Sequence, residues 1–307
     1  MNNHLFDLAR KGDLRLPPSL AGLYPFLAII YALIAPIMTS VLISLPLALF
    51  LLLANPGQVS LDELLGSGVG LAAVLVTGFG PIFLLVWLWL YAFERRPLWT
   101  VGLEAAGWIS KYIRGFLWGV VMIGIVVGIP ALLGYMRFEG SDLGLTPALI
   151  SALILLPGWV VQGAAEEVLF RGFLFQVVGV RWGLKQAVLI SALLFALLHI
   201  FNLNISLLAF LNLALFGAFA AVYAVREGGL WGVFALHSAW NWAQSNLFGM
   251  EVSGLPMRLG AIFHLKETGP DWVTGGSFGP EGGVVVTIVL VGGILLLTGF
   301  RIFQPRR

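Results

Sequence analysis

Long apolar runs separated by short polar stretches dominate the chain. They fall at roughly 24–54, 68–93, 113–134, 147–178, 186–201, 204–225, 230–249 and 284–303. At a rise of about 1.5 Å per residue, each run is read as a helix crossing a hydrocarbon core about 30 Å thick. The pattern predicts an all-α polytopic membrane protein with about eight transmembrane helices. The fifth run is barely long enough to cross. The fourth is too long for one straight span, and Pro157-Gly158 within it predicts a kink.

An even number of spans puts both chain ends on one side, and the cationic residues choose it. Arg10, Lys11, Arg15, Arg95, Arg96, Lys111, Arg114, Arg171, Arg181, Lys185, Arg226, Arg301, Arg306 and Arg307 fall in or beside one set of loops and tails. The opposite loops hold only Arg137, Arg258 and Lys266. The positive-inside bias therefore predicts cytoplasmic N- and C-termini. Trp87, Trp89 and Tyr91 precede Glu94-Arg95-Arg96, as expected of an aromatic belt at the membrane interface. Residues 1–20 have no short apolar stretch ending at a small-residue cleavage site, so the first span is expected to direct insertion.

Composition agrees and excludes several classes. The chain has 307 residues, 59% hydrophobic and 10% charged, with mean hydropathy +0.97. A net charge of +2 is too small to suggest a nucleic-acid partner. With no cysteine there is no disulfide, thiolate metal site or thiol nucleophile.

Against this background one segment stands out: Gln162-Gly-Ala-Ala-Glu166-Glu167-Val-Leu-Phe-Arg171-Gly172 lies inside the fourth run. Two carboxylates and a guanidinium are costly in hydrocarbon and point to chemistry, ion passage or a buried structural ion-pair lock. Glu166 lies 15 residues before the turn at Arg181, and His199 lies 18 after it. On antiparallel helices those are similar heights, about 20–27 Å of helix from the turn. His237 and Asn241 lie 11 and 15 residues beyond Arg226, at about 16–23 Å. Being four apart, they share a helix face. Glu167 and Arg171 are also four apart, in the favourable order, and are expected to pair. Glu166, turned about 100° away, is left to act. Two neighbouring carboxylates with little water cannot both ionise cheaply, which poises one as a general base. A water between Glu166 and His199 could then attack a peptide carbonyl, with His237 and Asn241 donating to the oxyanion.

Glu166-Glu167-x-x-x-Arg171, Phe195-x-x-x-His199 and His237-x-x-x-Asn241, in that order, resemble the CAAX prenyl endopeptidase and bacteriocin-processing (CPBP, abortive-infection) family. The resemblance covers about 155–250, and the glycine-rich stretch 274–283 also looks like bacterial members. It implies intramembrane proteolysis by a glutamate-type endopeptidase, formerly classed as a metalloendopeptidase. In such a site Glu166 is the base, His199 holds the water, His237 and Asn241 form the oxyanion site, and Glu167 and Arg171 are accessory. Eukaryotic and archaeal members remove a C-terminal tripeptide after a prenylated cysteine, but bacterial members need not see prenylated substrates. The implied division is a tail and three motif-free spans over 1–145, a catalytic four-helix core over 146–250, an extracytoplasmic loop over 251–283, and a last span and tail over 284–307. The expected partner is a membrane-embedded or lipid-anchored peptide or protein, with no nucleic acid and the oligomeric state open. The expected location is a prokaryotic inner or plasma membrane.

Other readings remain at this point. No cofactor is expected, but zinc on Glu166, His199 and His237 is the alternative, although the helical His-Glu-x-x-His signature is absent. An ion- or proton-coupled carrier would also use charges at mid-depth, and a non-catalytic immunity scaffold needs none of the chemistry. Phe195 is read as packing, His4 and His264 as incidental, and Glu281 as a loop residue rather than part of a site.

Overall fold

The computed structural model describes residues 3–54, 67–140, 144–255 and 260–299. Arg258, Arg301, Arg306, Arg307 and the end of the last expected span lie outside these. Each apolar run becomes a helix. A short α1 (His4–Ala9) opens the described chain. Next, α2 runs through Tyr24–Thr39, a π turn Ser40–Ser44 and Leu45–Ala54. The third helix, α3, covers Gly68–Glu94, and α4 covers Trp108–Leu132. The strand β1 (Met136–Gly140) precedes α5, which runs unbroken over the 38 residues Leu145–Trp182. Then come α6 (Leu184–Leu198), α7 (Leu207–Glu227) and α8 (Trp231–Trp242, continued by the π turn Ala243–Leu247). After β2 (Phe263–Glu267), the described chain closes with α9 (Val284–Thr298).

The described structure is 76% helix, so the helical expectation holds, with two observations beside it. First, among the described residues, five helices, within α2, α3, α4, α5 and α7, have the length and composition to cross a membrane. The helices α6 and α9 are apolar but only 15 residues long. All positions of α8 from Gly232 to Asn241 are buried, so it is an interior helix wrapped by its neighbours. Second, β1 and β2 pair antiparallel, from Met136 opposite Glu267 to Gly140 opposite Phe263, joining two segments that lie outside the expected spans.

The outer faces carry exposed Ile30, Leu42, Phe50, Leu117, Trp118, Leu153 and Ile288, the apolar belt a lipid-facing surface requires. The chain is a multi-pass membrane protein. Without a hydrophobic drive between spans, close packing holds them together, and small residues permit it. On α4, a Cβ at Gly115 would lie 2.0 Å from the Gly232 carbonyl oxygen, and one at Gly119 2.3 Å from that of Leu236. On α5, a Cβ at Gly163 would meet Ser238 Oγ at 2.5 Å. These contacts clamp α8 between α4 and α5 and fix the depth of His237 against Glu166 and Glu167. At the cationic end, α1 buries Leu5, Phe6 and Leu8, with the Phe6 ring 5.4 Å from that of Phe175. His4 bonds to Glu104.

Candidate active site

Glu166 and Glu167 close the first α-helical part of α5, and the next seven residues, Val168–Leu174, wind as a π helix before α-helix resumes at Phe175. Such turns are rare and collect at functional positions. Pro157 lies inside α5, which stays helical through it.

Glu167 is the hub of the charged cluster. Its Oε1 accepts from Arg171 Nη1 at 2.9 Å and from His237 Nδ1 at 2.9 Å. Both Glu167 and Arg171 are fully buried. The guanidinium also lies 4.5 Å from the centre of the Phe195 ring, a cation–π contact that suits a desolvated arginine. Phe195 thus packs, as expected, and it packs against the charge itself. Glu166 points the other way. Its Oε2 is buried, has no hydrogen-bond partner, and sits 3.8 Å from His237 Nε2.

His199 caps α6 and gives Nδ1–H to the Phe195 carbonyl at 2.8 Å, which leaves Nε2 as an acceptor. Asn241 Nδ2 donates to Gln162 Oε1 at 2.9 Å, so one amide proton orients the side chain and the other is left over. Glu166, His199, His237, Asn241 and Gln162 line one cavity of about 370 Å³, walled by Trp159, Phe216 and Trp240. Among the described residues, no three His, Asp or Glu side chains are grouped so as to hold a metal ion.

One lining residue departs from expectation. Glu281 reaches the same cavity, together with Val252, Ser253 and Leu255. The segment read as a loop folds over the site as a roof. Ser253 holds a left-handed backbone (φ 49°), a strained conformation for a serine, and gives both its N–H (2.6 Å) and its hydroxyl (2.8 Å) to Glu281 Oε2. Asn202 Nδ2 donates to the Ser253 carbonyl at 2.8 Å. Asn212 Nδ2 donates to the carbonyls of Glu281 and Gly283, both at 2.9 Å. Gly279 must be glycine: φ is 96°, and a Cβ would lie 2.2 Å from the Glu251 carbonyl oxygen. Burial pushes the Glu281 carboxyl above the usual carboxylate range, and the Ser253 donors pull against that shift. The available sequence signal was a lone carboxylate in a glycine-rich stretch, with Asn202 and Asn212 to bind its backbone.

Residues 147–243 match the family described as type II CAAX prenyl endopeptidase, Rce1-like. The similarity covers residues 147–243, about a third of the chain. This is a protease family, and its match spans α5 to α8 with every candidate residue from Glu166 to Asn241. The Rce1-like match ends before the roof, so Glu281 and Ser253 lie beyond it. No curated protein matches the chain.

Proposed function

We propose that the protein is an intramembrane endopeptidase in which Glu166 activates water. The observation that carries this reading is Glu166 Oε2: buried, without a partner, and facing His237 across 3.8 Å in a cavity that also contains His199. A buried carboxylate oxygen ordinarily has a partner, and here a water held between Glu166 and the His199 Nε2 lone pair supplies one. Glu166 takes a proton from that water, and the water oxygen attacks the peptide carbonyl carbon. The developing oxyanion receives hydrogen bonds from the second Asn241 amide proton and from His237 Nε2 when that ring carries both protons. Collapse breaks the C–N bond, and Glu166 returns the proton to the leaving amine. Glu167 and Arg171 touch no substrate in this scheme. They orient His237.

The base and both oxyanion donors are side chains, so the proposal requires no metal or cofactor. A zinc reading would instead make ligands of Glu166, His199 and His237. The proposed substrate is a membrane-embedded or lipid-anchored peptide or protein in a prokaryotic plasma membrane, with both chain ends cytoplasmic. In this reading residues 146–250 are the catalytic core, 1–145 a tail and three spans without motif, 251–283 an extracytoplasmic loop, and 284–307 a last span and tail.

The test is cleavage of a membrane-tethered peptide by the purified chain. Glu166→Gln should lower kcat by about 10²- to 10⁴-fold, and a strong chelator should leave the wild-type rate unchanged. Equal rates for wild type and Glu166→Gln would remove the glutamate mechanism. Loss on chelation with recovery on zinc would turn the site into a metal centre.

A further inference from the structure

The cavity is electrostatically one-sided. Its ionisable lining residues are Glu166, His199, His237 and Glu281, and among the described residues no lysine or arginine lines it. Arg171, one turn from Glu167, is fully buried, paired, and stacked on Phe195 rather than facing the cavity. Glu281 is held for a purpose that the hydrolytic scheme does not use. Two donors from Ser253 fix one carboxylate oxygen, and Asn212 ties the backbone behind it. Donors that favour the anion have been collected around a residue that burial alone would discharge. A strained Ser253 and a glycine that admits no side chain at 279 are spent on that placement.

We propose that Glu281 is a specificity residue. It selects peptides with a cationic side chain near the scissile bond and rejects those that bring a carboxylate there, whether from an acidic residue or a nearby free C-terminus. The inference rests on the endopeptidase reading above and names its substrate class. A like charge entering a water-poor cavity is repelled strongly, whereas a cation is attracted with little screening. With no cationic side chain among the described lining residues, an incoming carboxylate finds no counter-charge. The donors it meets are neutral side chains and the imidazoles of His199 and His237.

The experiment uses the full chain in lipid nanodiscs and a tethered peptide that it cleaves in a Glu166-dependent way. Paired peptides carry Lys or Glu at each of the three positions on either side of the scissile bond. A second pair ends three residues beyond that bond in either a free carboxylate or an amide. The readout is the ratio of kcat/KM within each pair, from which any general loss of folded enzyme cancels. In wild type, at least one position should favour Lys over Glu by about tenfold or more, and the amide should be cut faster than the acid. In Glu281→Gln both ratios should fall toward one. Wild-type ratios near one, a preference for Glu or the free acid, or ratios unchanged in Glu281→Gln would each overturn the proposal. Because the first two are read on wild type, a Glu281→Gln protein that fails to fold does not protect it. Cleavage that depends on Glu166 but ignores substrate charge would sink this inference and leave the endopeptidase reading standing. Absence of any Glu166-dependent cleavage would sink both.

Discussion

At the scale of single residues, Glu167 carries the heaviest demand. One carboxylate oxygen serves both a fully buried guanidinium and the imidazole proposed to face the oxyanion. Breaking a buried ion pair from one side leaves the other charge uncompensated, at about 3–5 kcal/mol, while replacing both partners by apolar groups can be nearly neutral. Glu167→Gln should therefore unfold at a lower temperature and lose kcat with little change in KM. The pair Glu167→Gln with Arg171→Met should recover much of the stability but not the turnover. Thermal denaturation in detergent and steady-state kinetics would check this, and full recovery of kcat in the double variant would show that the cluster serves folding alone. The Glu167–Arg171 pair was legible in the sequence because positions four apart on a helix meet. The level of His237 was legible because a helix has a fixed rise. Glu281 was not, since counting residues gives no depth once the chain leaves regular structure.

At the scale of elements, the site depends on how closely α4 and α5 approach α8. Gly119 meets the Leu236 carbonyl next to His237, so Gly119→Leu pushes the backbones apart at the level of the cluster. Overpacking of this kind costs about 1–3 kcal/mol. Turnover should fall in proportion to the displacement of His237, while Gly124→Leu, where a side chain meets open space, should act as the silent control. Beside the roof, burial pushes the Glu267 carboxyl on β2 up to about 7 from the ordinary 4.5, with Glu251 and Asp271 adding to the shift. A carboxyl raised on folding stabilises most below its ordinary value, and that contribution is lost as pH rises through the folded one. Amide exchange in β1 and β2 should therefore quicken beyond its intrinsic pH dependence between about pH 5 and 8, and Glu267→Gln should remove the excess. The helices were readable because long apolar runs leave little choice in lipid. The two strands were not. β1 buries only its first residue, so it shows no alternation, and its partner lies more than a hundred residues away.

At the scale of the whole molecule, the charge bias and the roof together set a direction. If both chain ends are cytoplasmic, the roof and the β1–β2 sheet lie outside, and the cavity is closed from that side. The absence of native cysteine makes this simple to test. Lys266→Cys, exposed on β2, should react with an impermeant maleimide in intact cells, while exposed Lys185→Cys should react only after permeabilisation. The opposite labelling would invert the molecule.

The seven-residue π winding in α5 also joins the two ends mechanically. Winding the same seven residues as ordinary α-helix, at about 100° each, would turn the lower half of the rod against the upper. Gln176, which now receives Arg96 Nη1 at 2.6 Å, would swing off its partner while Glu166 stayed in place. The slack coil thus acts as a phase adjuster, letting one continuous rod satisfy two separately set bearings.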